Sequence, residues 1–289
     1  MTAILQAVKY LCLLTMIFVT GDGANALAKT GLASPWQAST HSRIRLIAAG
    51  GIPYQGRLVT AAALEIALDD GWKTYWRTPG DGLAPAFEWN GSQNLNDAAM
   101  LWPVPKRFSN PGGSLAYGYE RRLVLPIVIA PLDAGAPVLF RLRAAYGVCA
   151  DICIPAEAEL ELEIPPSVGG GAFGKDIAAA LERVPKRQAR GVYCPHRVIT
   201  VKRRTVNGRP AVLVKTAFDE RAAGLDLFAE GPDGFELPVP DRQPRSSRGR
   251  AHYILDFETA EAVDALKQQT LILTTVADQG SCEIDWRVE

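Results

Sequence analysis

Tyr146-Gly-Val-Cys-Ala-Asp-Ile-Cys-Ile-Pro155 sets Cys149 and Cys153 on either side of Ala150-Asp151-Ile152, in a 289-residue chain that has five cysteines. Before the pair, Val138, Phe140, Leu142, Ala144 and Tyr146 alternate with Leu139, Arg141, Arg143 and Ala145. After it, Ala158, Leu160, Leu162 and Ile164 alternate with Glu157, Glu159, Glu161 and Glu163. Both runs have the period-2 pattern of half-buried strands, so the cysteines flank a tight turn at the tip of a β-hairpin. On a single strand, residues four apart would stand roughly 13 Å from each other. The hairpin brings them to the ~5.5 Å Cα separation that a disulfide needs.

Three uses of the pair stay open on these residues. As a clip it contributes little, because closing so short a loop is worth roughly 2 kcal/mol in the entropic model. As a redox centre it is well placed, since an exposed disulfide is the more easily reduced kind. As a metal site it is short of ligands for zinc, although two soft sulfurs suit copper(I). No metal or other cofactor is expected. Asp151 disfavours a thiolate between the cysteines, and the candidate compensating cations are Arg107, Arg121, Arg122 and Arg143.

Charge is balanced, with 31 Lys+Arg against 31 Asp+Glu, and no basic footprint for nucleic acid stands out. Residues 1–28 read as a cleavable signal peptide. Lys9 supplies the positive end, Tyr10 to Thr20 a short apolar core, and Ala26-Leu27-Ala28 a small-x-small cleavage site. The apolar run falls short of the ~20 residues needed to span a bilayer. Cys12 leaves with this segment. The mature chain is expected in the periplasm with no membrane span, in an oxidising compartment that permits disulfides.

Farther along, strands are expected over Ser42–Leu46, Leu58–Leu68, Phe87–Trp89 and Leu123–Ile129, with Trp72, Tyr75 and Trp76 as core anchors. Pro103, Pro105 and Pro111 mark an ordered loop that carries Trp102 and Phe108. Many short strands between turn signals predict an all-β fold. Pro165-Pro166 and the glycines at 169–171 end a first domain, 41–166. A linker, 167–190, holds a short helix over Phe173–Val184, and 191–289 form a second β-sandwich. There Asn207-Gly208 signals a hairpin, and Glu261–Gln268 a short helix. Cys194 and Cys282, near the two ends of that domain, would close a long loop worth roughly 4.5 kcal/mol as a structural disulfide. His196 is read as a surface side chain beside a turn.

Four stretches carry a family resemblance: Gly71-Trp-Lys-Thr-Tyr-Trp-Arg-Thr-Pro-Gly-Asp81, Trp102-Pro-Val-Pro-Lys-Arg-Phe108, Tyr117-Gly-Tyr-Glu120 and Val148-Cys-Ala-Asp-Ile-Cys-Ile-Pro155. In this order the chain resembles the N-terminal (alpha) domain of the thiol–disulfide interchange protein DsbD, and more closely that of its relative ScsB. The resemblance implies two immunoglobulin-like sandwiches joined by a short helical linker. It implies Cys149 and Cys153 as the redox pair, with Cys153 forming the mixed disulfide, and a cap loop that shields them, here matched by Pro105–Pro111 with Phe108. Its implied partners are a membrane thiol reductase, or that protein's thioredoxin-like domain, as donor, and periplasmic disulfide-containing proteins. The sequence lacks that family's multi-span region and Cys-x-x-Cys thioredoxin domain, so the donor is expected to be a separate protein. The other function class is a non-catalytic periplasmic module that binds a partner protein or copper(I).

Overall fold

The computed structural model describes residues 32–110, 113–166, 171–188, 194–232, 235–244 and 249–289. The signal-peptide segment, 1–28, lies outside them. Gly31–Glu289 form one compact unit. Its first strands are β1 (Gln37–Ser39), β2 (Ser42–Tyr54), β3 (Arg57–Leu68), β4 (Lys73–Gly80), β5 (Ala86–Glu88) and β6 (Leu95–Met100). There follow β7 (Lys106–Ser109), β8 (Leu115–Glu120), β9 (Arg122–Pro131), β10 (Val138–Cys149) and β11 (Cys153–Ile164). Helix α1 (Gly174–Glu182) leads to β12 (Lys186–Arg187), β13 (Arg197–Val206), β14 (Arg209–Ala217), β15 (Asp226–Glu230), β16 (Asp241–Arg242) and β17 (Arg250–Asp256). Helix α2 (Ala260–Ala265), β18 (Thr270–Ala277) and β19 (Gly280–Arg287) complete the set.

The chain is all-β, with two immunoglobulin-like sandwiches. In the first, a β1-β2-β3-β9-β6 sheet faces a β11-β10-β4-β8-β7 sheet, with β5 added beside β10. The alternation along β10 and β11 does what its period requires. Phe140, Leu142, Ala144, Leu160 and Leu162 turn inward, into one core with Leu46, Leu64, Trp76 and Leu125. In the second sandwich, β12-β19-β18-β15 packs on β13-β14-β17-β16, around Val212, Val214, Tyr253, Leu255, Leu271 and Leu273. Asn207 and Gly208 take φ of 50° and 79°, the left-handed pair of a two-residue hairpin turn, here between β13 and β14.

Three features depart from the expectations. The proline-rich segment is not all loop, because Lys106–Ser109 form β7, paired with β8 at Phe108↔Ala116. Its prolines sit outside these four residues, and β7 is the last strand of its sheet, the position that tolerates them. Helix α1 is not a free connector either. Ile177 and Leu181 are buried against Ile47, Ala49, Ile52, Ala61 and Ala63 on the outer face of the first sheet, and Arg122 donates to both Glu65 and Asp176. Finally, His196 is fully buried, beside Phe218. Among the described residues, no helix is long and apolar enough to cross a membrane.

Candidate functional site

Strands β10 and β11 stay in register to their ends, where Cys149 and Cys153 are cross-strand partners. They are joined as a disulfide with a Cα separation of 4.2 Å. The turn between them is closed by Ala150 N donating to Ile152 O at 3.1 Å. Inward residues of β10 fall at even positions, so Cys149 lies on the outer face of the sheet. It is nonetheless buried, at 1% exposure, by Tyr75 and Ala116. Cys153 is exposed, and Ile152 beside it is 67% exposed. One cysteine of the bond is therefore buried and the other exposed.

Cross-strand partners share a face, which fixes what surrounds the sulfurs. Lys73 on β4 pairs with Cys149 on one side and Glu120 on the other. Tyr75 pairs with Gly118, and Phe108 with Ala116. Cys149, Lys73, Tyr75, Ala116 and Phe108 thus occupy one face. The Tyr75 hydroxyl stands 3.3 Å from Cys153 Sγ. A disulfide sulfur has no hydrogen, so the hydroxyl is the donor. Burial raises the Tyr75 pKa, so it keeps its proton through neutral pH. Glycine makes this approach possible, because a Cβ on Gly147 would stand 2.8 Å from Leu83 Cβ and 3.1 Å from Tyr75 Cδ2.

Two cations share this face: Lys106, paired with Glu120, and Lys73, the one in register with Cys149. The Lys73 Nζ donates to Asn110 Oδ1 at 2.8 Å and sits 5.5 Å from the centre of the Phe108 ring. Phe108 is half-buried and, with Trp72, Lys73 and Arg121, lines a cleft of about 630 Å³ at this end of the sheet. The arginines singled out from the sequence are mostly engaged elsewhere: Arg107 with Asp226, Arg122 with Glu65, Arg143 with Glu159. Lys73 and Tyr75 were missed as site residues. Strand alternation held the signal, because consecutive Tyr75 and Trp76 must face opposite ways, one to the core and one to the cysteine face.

The second disulfide joins Cys194 and Cys282, with a Cα separation of 6.3 Å across a sequence separation of 88. Cys282 is buried at 2%. Among the described residues, neither ring nitrogen of neighbouring His196 has a hydrogen-bond partner, and burial lowers its pKa against the opposing pull of Asp278 and Asp219.

The fold and site define a class: a pair of immunoglobulin-like sandwiches whose first member carries a half-exposed disulfide at a hairpin tip. Residues 57–165, the segment that carries Cys149 and Cys153, match the family model of the thiol:disulfide interchange protein DsbD, N-terminal. The matched segment opens at β3, whose partner β2 precedes it. The crystal structure of the N-terminal periplasmic domain of ScsB from Proteus mirabilis aligns with a TM-score of 0.66 and 19% sequence identity, over 90% of this chain and 99% of that one. At that identity the likeness establishes the fold, across both sandwiches. No curated protein matches the chain.

Proposed function

We propose that this chain is a periplasmic thiol–disulfide interchange module that works through Cys149 and Cys153. The observation that carries the reading is the asymmetry of their bond, with Cys149 buried and Cys153 exposed beside a hydroxyl donor. The family match over residues 57–165 and the likeness to the periplasmic ScsB domain support it. The four described cysteines are all committed to two disulfides, so the electrons come from outside these residues. The donor is a thioredoxin-type dithiol, most simply that of a membrane thiol reductase. Its thiolate attacks Cys153 Sγ, a mixed disulfide forms, and Cys149 leaves as the thiolate. The donor's second thiol then releases Cys153. The donor ends as a disulfide, and the pair holds two electrons and two protons for a periplasmic disulfide-containing protein. In the return step the Cys153 thiolate, stabilised by the Tyr75 hydroxyl and the Lys73 charge, attacks that protein's disulfide and displaces one of its thiolates; Cys149 then attacks Cys153 Sγ, releasing the second thiolate and re-forming the 149–153 bond. Phe108 shields the pair between encounters. Residues 1–28 direct export, 41–166 carry the exchange, and Cys194–Cys282 staples the sandwich of 191–289.

Trapping tests the order of the cysteines. Each single variant is offered a thioredoxin-like domain whose attacking thiol is activated as a mixed disulfide with thionitrobenzoate. Cys149→Ser leaves Cys153 free to displace thionitrobenzoate and forms a covalent complex on non-reducing gels, while Cys153→Ser forms little. Equal trapping by both overturns the order. Trapping by neither, with a wild-type bond that resists the reduced domain, favours the binding-module reading.

A further inference from the structure

Strand β15 faces two ways. Leu227 and Ala229 enter the core of the second sandwich, while Asp226, Phe228 and Glu230 point to the first. Phe228 is 2% exposed and belongs to the first sandwich's core, with its ring 4.8 Å from Tyr117 and 5.6 Å from Trp76. Glu230 accepts two bonds from Arg77, at 2.6 and 2.8 Å, and one from Thr78 at 2.8 Å. Arg77 also donates to Glu283, next to Cys282, at 2.6 Å. Asp226 accepts from Arg107 Nη2 at 2.7 Å and Nε at 3.2 Å, and the same guanidinium donates to the carbonyls of Pro240 and Leu227. Arg77 and Thr78 are on β4, the strand of Tyr75. Arg107 is on β7, next to Phe108. The strand of Tyr75, which buries Cys149, and the strand of Phe108 are thus each tied to the second sandwich. Without that tie, β7 is a four-residue edge strand whose one strand partner among the described residues is β8, the kind of element that opens locally at small cost.

We infer that Arg107 is a positioning residue: clamped on Asp226, it holds β7 and Phe108 closed, so that the second sandwich sets how readily the Cys149–Cys153 bond is reached. This rests on the shielding role proposed above for Phe108. The clamp is a planar two-bond fork on a carboxylate, the strongest form of such pairing. Burial works against the Arg107 charge, and the Asp226 carboxylate more than offsets it, leaving its pKa raised.

The test is the rate at which dithiothreitol reduces the 149–153 bond in the whole chain, read by alkylation and peptide mapping. Phe108→Ala, Asp226→Asn, an Arg107→Asp/Asp226→Arg double variant and an Asp264→Asn control are compared with wild type. The control breaks an exposed ion pair, to Arg203, within the second sandwich. Asp226→Asn is expected to raise the rate about tenfold, as loss of a charge-assisted pair shifts a closed–open equilibrium. The double variant should return to within roughly twofold of wild type, and the control should match it. If Phe108→Ala speeds reduction and Asp226→Asn does not, the clamp is wrong and the shield stands. If neither does, the shield is wrong and the clamp falls with it. A double variant as fast as Asp226→Asn also overturns the ion-pair clamp.

Discussion

The two disulfides use the same bond for opposite ends. Cys194–Cys282 spans 88 positions and has Cys282 buried, whereas Cys149–Cys153 spans four and leaves Cys153 exposed. In the entropic model the long loop is worth roughly 4.5 kcal/mol and the short one roughly 2. That difference of ~2.5 kcal/mol corresponds to about 50 mV for a two-electron couple, before exposure is counted. The long bond is thereby suited to hold structure and the short bond to be made and broken. What separates them is chain topology: a hairpin already supplies the proximity that the short bond would otherwise impose.

The largest expected effect concerns stability. A Cys194→Ser/Cys282→Ser variant should lose about 4–5 kcal/mol, and Cys149→Ser/Cys153→Ser about 2 or less, by denaturant unfolding. Equal losses would erase the comparison. Comparable in size, Phe228→Ala should cost ~3–5 kcal/mol, and the loss should extend to the first sandwich, where its ring is buried. A loss confined to the second sandwich, by hydrogen exchange, would refute that placement.

Smaller effects sharpen the contrast at the sulfurs. Tyr75→Phe keeps the ring and removes the donor, so the Cys153 thiol pKa should rise by about one unit while stability changes by no more than ~1 kcal/mol. An unchanged pKa would remove Tyr75 from the exchange step. The smallest effect is at the other disulfide. Folding lowers the His196 pKa, so the unfolded chain binds the extra proton first. Stability should therefore fall as pH drops from about 6.5 towards the folded value. His196→Leu should flatten that part of the profile, measured as the difference between the two proteins. An identical slope in both would contradict it.

Much of the first sandwich was legible because its strands alternate cleanly. The β10–β11 hairpin, its turn and the cysteine pair follow from periodicity alone. The neighbourhood of that pair was not legible, because it depends on which strands lie beside β10. Lys73 comes next to Cys149 through a single β4–β10 pairing, and nothing local to Lys73 announces it. The β7 strand was hidden by its prolines, which read as loop although all of them fall outside Lys106–Ser109. The two-faced β15 reads as a short strand, Leu225–Phe228, and only the fold sends Leu227 to one core and Phe228 to the other. His196 was misjudged for a similar reason. A histidine beside proline suggests a surface turn, yet the bond to Cys282 draws its neighbour Cys194 against β19.

The central claim is that Cys149–Cys153 is an exchanging bond rather than a clip, and its midpoint potential tests this most directly. The whole chain is equilibrated in dithiothreitol buffers of graded poise, quenched with acid, and the two pairs are scored separately by alkylation mapping. The account predicts a 149–153 potential well above about −300 mV, with 194–282 below it. A 149–153 value below about −300 mV, equal to or lower than that of the 194–282 bond, would contradict it.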